Sequence, residues 1–184
     1  MREVTGYDTH MDLLLFGGMS PRNKEWLYHV EKSLRPLFDK TSLHEYAHWA
    51  SAAPQIDLEH ELHAAHNQAR ELDDYVIFAK SAGVVLSLKG IAEKTLRPKA
   101  CLFVGTPLNF IHEHSHQVDI WLKSLDMPAI FVQNAHDPTG TYQELQRYLH
   151  EHLQSPHYKI FEEPGETHDY NDLQRLKELA SALV

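Results

Sequence analysis

The sequence contains one cysteine, Cys101, in 184 residues. A single thiol excludes an intramolecular disulfide framework and a cysteine-rich zinc or iron–sulfur site. No apolar run approaches the ~18 residues that cross a bilayer. The opening Met1-Arg2-Glu3-Val4-Thr5 lacks the apolar stretch of a signal peptide. Positive charge is scarce as well. Lys plus Arg is 17 against 26 for Asp plus Glu, a net charge of −9 at pH 7. Without a Lys/Arg run, the chain lacks the electrostatic footprint of a nucleic-acid binder. Repeats, heptads and Gly/Ser/Pro-rich linkers are missing, so residues 1–184 read as a single domain. The expectation is a soluble cytoplasmic protein with a small-molecule partner, and neither nucleic acid nor membrane. Oligomeric state is not legible.

What is present points to a packed core. Apolar residues make up 42% and aromatics 10% of the chain, enough to exclude a disordered tail. Short apolar runs recur at residues 11–16, 75–79, 100–104 and 129–133. They are bounded by turn formers and do not alternate, as expected of strands buried on both faces of a parallel sheet. Two weaker strands are predicted at 41–46 and 158–161, the second alternating like a half-covered edge. Between them, 3.6-residue patterns predict helices over 23–38, 57–72, 83–95, 113–125, 140–153 and 170–183. Alternating β and α elements predict an α/β fold, a three-layer α/β/α sandwich with right-handed crossovers.

The segment richest in chemistry is residues 75–85, YVIFAKSAGVV. A buried strand ends, a small-residue turn holds Ser81, and an apolar helix starts at once. On its own this is a tight strand-to-helix turn with free N–H groups at the helix start. It resembles the nucleophile elbow G-x-S-x-G of the α/β-hydrolase family, with Ala79 where the glycine usually stands and Gly83 in place. The resemblance extends along the chain from about residue 10. That family's order is serine, acid, histidine. Asp137 follows the strand at 129–133 within QNAHDP, and His168 follows the strand at 158–161 within EPGETHDY. Taken singly, Asp137 is also a plausible helix cap and His168 a surface loop residue.

The resemblance implies about six parallel strands in the order 2-1-3-4-5-6. It implies a site beyond their carboxyl ends, between strands 1 and 3. It casts Ser81 as nucleophile, His168 as general base and Asp137 as the base's partner. It also implies an oxyanion hole from the Ala82 N–H and the Gly18 N–H, or Met19 one register later. Gly17-Gly18 alone reads equally as a tight turn. Gly17, Trp49, Thr106 and Leu108 are the expected substrate neighbours, although Trp49 also suits the rim of the core. The implied activity is that of a small lidless serine hydrolase, carboxylesterase- or thioesterase-like. It would cleave an ester, thioester or amide through an acyl-enzyme, with no cofactor and no metal. Two other readings stay open. One is a non-catalytic interaction module on the same scaffold, with the elbow distorted by Ala79. The other is a metallohydrolase using a histidine cluster.

Histidine is over-represented, at 15 residues. Two stretches match H-E-x-x-H, namely 44–48 and 112–116, and His60, His63 and His66 recur on a predicted helix. Zinc chemistry needs that spacing on one helical face. The first stretch falls on a weak strand and the second at a polar helix start, and neither has a third-ligand motif. They read as solvated faces. Half-protonating every histidine near pH 6.5 would bring the net charge from −9 to about −1.5, which predicts lower solubility in mild acid. Cys101 reads as a buried core residue, and Lys80 receives no role.

Overall fold

The protein is described by a computed structural model that covers residues 10–51, 56–113 and 115–184. Six parallel strands form one sheet in the order β2-β1-β3-β4-β5-β6. They are β1 Asp12–Phe16, β2 Thr41–His44, β3 Tyr75–Lys80, β4 Ala100–Val104, β5 Ala129–Asn134 and β6 Tyr158–Glu163. Each of the four central strands is buried along its whole length, whereas the edge strands β2 and β6 are only partly covered. This is the difference that the unalternating and weaker apolar runs predict.

Helices cover both faces. Helices α1 (Asn23–Leu34) and α8 (Leu173–Ser181) share one core with Leu13, Leu15, Val76 and Phe78. The other face carries α3 (Leu58–Ala69), α4 (Ala82–Ala92), α6 (Ser115–Leu122) and α7 (Tyr142–His152), packed on Leu14, Phe16, Ile77 and Ala79. Alternate residues of one strand thus feed two cores, so the middle of each central strand is apolar on both faces, and polar residues such as Asp12, Lys80, Gln133 and Asn134 stand at strand ends. Short helices α2 (Ala47–Ser51) and α5 (Leu108–Glu113) follow β2 and β4. Among the described residues, no helix is long and apolar enough to cross a membrane.

Beyond shifts of a few residues at element ends, the elements depart from expectation in three places. The helix predicted over 23–38 ends at Leu34, and Arg35–Leu37 tightens into a 3₁₀ turn around Pro36. The helix predicted over 113–125 is instead α5 followed by α6. The short helix α2 was not anticipated. Registers align the strand ends: Phe16 pairs with Ala79, and Lys80 with Val104. The loops carrying Gly17, Ser81 and Gly105 therefore leave the sheet side by side.

Candidate active site

Ser81 links β3 directly to α4, with φ 54° and ψ −117°. This lies outside the left-handed α basin, and a non-glycine residue held there stores roughly 1–3 kcal/mol of strain. A serine at a helix N-cap normally accepts a hydrogen bond from the first turn. Ser81 does not, so its hydroxyl is unspent. The reason for the sharp turn is the near contact of helix and strand. A Cβ placed on Gly83 would meet Phe16 Cβ at 2.6 Å and Gly17 O at 2.9 Å. Ala79 is buried and its methyl fits the core, so the departure from glycine leaves the turn intact.

Asp137 and His168 come together across the loops after β5 and β6. His168 Nδ1 lies 2.8 Å from Asp137 Oδ2 and 3.1 Å from Thr139 Oγ1. The buried Asp137 accepts three further bonds: from Tyr170 Oη at 2.7 Å, and from Thr139 N and Oγ1 at 2.8 Å each. Tyr170 Oη itself accepts the Asn134 N–H at 3.0 Å. Burial alone would raise the Asp137 carboxyl. The bonds from His168 and Tyr170, the His168 charge and the Thr139 N–H outweigh it and hold the group below the usual carboxylate range. Burial pushes the Tyr170 phenol up, and the Asp137 charge adds to this, so it stays a donor.

His168 Nε2 is buried and has no partner among the described residues. Ser81 Oγ makes no hydrogen bond among them either. Each lies against the end of β4. Ser81 N–H donates to Val104 O at 3.1 Å, and a Cβ on the next residue, Gly105, would lie 2.9 Å from His168 Cε1.

The loop after β1 is held by its carbonyls. Gly17 O accepts from Gly83 N at 3.1 Å and from Tyr46 Oη at 3.0 Å. Met19 O accepts from His48 Nε2 at 2.6 Å and Trp49 Nε1 at 3.1 Å. Ser20 O accepts from Asn23 N at 2.9 Å and Asn23 Nδ2 at 3.0 Å. The N–H groups of Gly18, Met19 and Ala82 have no acceptor among the described residues. The loop's carbonyls are thus engaged while these three N–H groups stay available to an acceptor.

Beside Ser81 opens a cavity of about 190 Å³. Its walls are Met19, Ile56, Leu58, Ala82, Val85, Pro107, Phe110 and Thr139. Of the expected substrate neighbours, Gly17, Trp49, Thr106 and Leu108 are not among these wall residues. Trp49 turns its ring toward Gly17 and spends its N–H on Met19 O. Thr106 is tied by its N–H to Gln133 Oε1 at 2.8 Å. Leu108 points into the core against Gly140.

The histidine patterns resolve into structural contacts. His44 is buried at the edge of the sheet, with Nε2 2.8 Å from Glu61 Oε2 and Nδ1 2.7 Å from Gln68 Oε1. His66 Nδ1 meets Thr95 O at 2.7 Å, while His60 and His63 are exposed. His112 packs edge-on against Tyr148. His114, in the second pattern, lies outside the described residues. Among the described residues, no group of three or more His, Cys, Asp or Glu is arranged to hold a metal ion.

No family model matches the sequence, and no curated protein matches it. Similarity emerges in three dimensions. An uncharacterized protein from Bacillus cereus ATCC 10987 superposes with a TM-score of 0.70 at 17% identity. The match covers all of this chain but only 63% of that one, so this chain spans under two thirds of its length. Alpha/beta hydrolase domain-containing protein 10 from mouse gives a TM-score of 0.73 at 11% identity, covering 98% of this chain and 91% of that one. An esterase from Pyrococcus furiosus gives 0.73 at 11%, covering 96% and 82%. With its strand order and its serine turn after β3, the chain has the α/β-hydrolase fold.

Proposed function

We propose that the protein is a serine hydrolase that cleaves small esters, thioesters or amides through an acyl-enzyme. The observation that carries this reading is the backbone of Ser81. A buried strand, a strained serine and a helix start bring a free hydroxyl and the Ala82 N–H to one point. In the proposed cycle, His168 Nε2 takes the Ser81 proton as Oγ attacks the acyl carbon. Asp137 keeps the His168 proton on Nδ1 and stabilises the imidazolium that forms. The carbonyl oxygen, now negative, sits on the N–H groups of Ala82 and Gly18. Each such donor contributes about 3–4 kcal/mol to the transition state. His168 then protonates the leaving group, and a water activated by the same imidazole releases the acid.

The cavity limits the substrate. Apolar cavities of about 150 Å³ accept benzene. One of about 190 Å³ therefore suits an uncharged group near the size of a phenyl ring or a six-carbon chain. None of its walls among the described residues bears a charge, so a carboxylate in that position would lose its hydration without compensation. The neighbours named as esterases support the hydrolase class.

The test is covalent labelling. A fluorophosphonate probe should label wild type, and Ser81→Ala should abolish labelling with its circular dichroism spectrum unchanged. Folded wild type that stays unlabelled would leave the scaffold as an interaction module.

A further inference from the structure

Lys80, the residue before Ser81, is 5% exposed. Its place at the end of β3 directs its side chain to the α1 face, alongside Val76 and Phe78. There the ammonium lies 5.0 Å from the centre of the Trp26 ring. Its one hydrogen-bond acceptor among the described residues is Asn23 Oδ1, at 2.9 Å. Burying an ammonium with a single neutral acceptor is expensive, and a methionine of similar shape would fill the space at lower cost. Burial lowers the Lys80 pKa from its ordinary value, and the charges of Asp169 and Asp137 pull it partly back. Something must offset that cost.

Asn23 suggests what it is. Its Nδ2 donates to Ser20 O at 3.0 Å. Its amide group packs on Gly18 so closely that a Cβ there would lie 2.9 Å from Asn23 Nδ2. One face of the amide therefore supports the loop, and its oxygen is fixed from below. Without Lys80, the Asn23 amide is free to turn and would release both Ser20 O and the surface under Gly18.

We propose that Lys80 is a positioning residue that acts through Asn23 to hold the 18–20 loop, and with it the Gly18 N–H, at the edge of the cavity shared by Met19 and Ser81. Its catalytic consequence rests on the serine-hydrolase reading, whereas the clamp itself does not. An oxyanion donor acts on the transition state, so a loosened one lowers kcat and spares KM.

The experiment compares wild type with Lys80→Met, Asn23→Ala and the double variant. Hydrogen exchange of peptides covering residues 17–22 reads the clamp. Hydrolysis of p-nitrophenyl acetate reads its consequence. For Lys80→Met, exchange at 17–22 should rise about ten-fold while β3 and β4 stay protected. Its kcat should fall about ten- to hundred-fold with KM within about two-fold. Its Tm should stay within about 2 °C of wild type or rise. The double variant should lose no more than either single, because one chain of contacts is cut once or twice. Unchanged exchange at 17–22 would overturn the clamp. So would faster exchange throughout with a falling Tm, since that marks a core residue. A loosened loop in a protein that neither hydrolyses the ester nor takes the probe would uphold the clamp and sink the hydrolase reading alone.

Discussion

Replacing Gly83 with alanine tests the junction on which Ser81 stands. The added Cβ would lie 2.6 Å from Phe16 Cβ, 2.9 Å from Gly17 O and 3.0 Å from Phe16 O. Carbon atoms rest at about 3.5–4.0 Å, so helix and strand must part by roughly 1 Å. None of the three atoms can rotate aside, since two are backbone and one is a Cβ. Overpacking of this kind costs about 1–3 kcal/mol. Unfolding entropy is about 2.1 cal/mol/K per residue. Over 184 residues, a loss of about 2 kcal/mol lowers Tm by roughly 5 °C. The parting also stretches the Gly83 N to Gly17 O bond, now 3.1 Å, and carries Gly18 away from Ala82. A misplacement of about 1 Å can lower a rate about hundred-fold. Calorimetry and ester hydrolysis at 25 °C, where the variant is still folded, read the two effects separately. Ala79→Gly is the control. It removes a methyl that already fits and should cost about 1–2 kcal/mol without a comparable loss of rate. Wild-type melting and wild-type rate in Gly83→Ala would refute the close packing.

Tyr170→Phe removes a donor to Asp137 and the acceptor of the Asn134 N–H. An unsatisfied buried N–H costs about 1–3 kcal/mol at neutral pH. Because Asp137 is held below its ordinary range, its contribution is complete above the unfolded carboxyl value and is lost as pH falls through the folded one. Removing the phenol raises that folded value toward the unfolded one, so acid unfolding should begin at higher pH. An acid midpoint that stays in place or falls contradicts this assignment. Val85→Phe should fill the cavity beside Ser81. Acetyl ester hydrolysis should stay within about two-fold, while hexanoyl and benzoyl esters lose more than about ten-fold. A parallel fall across the series would show that the acyl group lies elsewhere.

Local pattern reads burial well and partnership poorly, and the site shows why. The run at 100–104 predicts β4 with its observed bounds, because burial on both faces leaves no freedom in residue type. Ser81 is legible from strand, turn and helix in ten residues. The meeting of Asp137 with His168 is legible from the order serine, acid, histidine of the family that the sequence resembles. Tyr170 was missed, although it stands two residues past His168, because its partners Asp137 and Asn134 are 33 and 36 residues away. Pro107 and Phe110 line the cavity beside Ser81 while Leu108 packs against Gly140, a contact no local period contains. His44 in an H-E-x-x-H string belongs with Glu61, on a different helix. Lys80 is the instructive case. The two-residue period of β3 places it inward beside Val76 and Phe78, where the pattern asks for an apolar residue. Foldable sequences keep such conflicts few, and those retained tend to mark function. A charge set against the pattern, one residue before a strained serine, is therefore a signal the sequence does carry. Its meaning emerges only when Asn23, 57 residues earlier, is found at its tip.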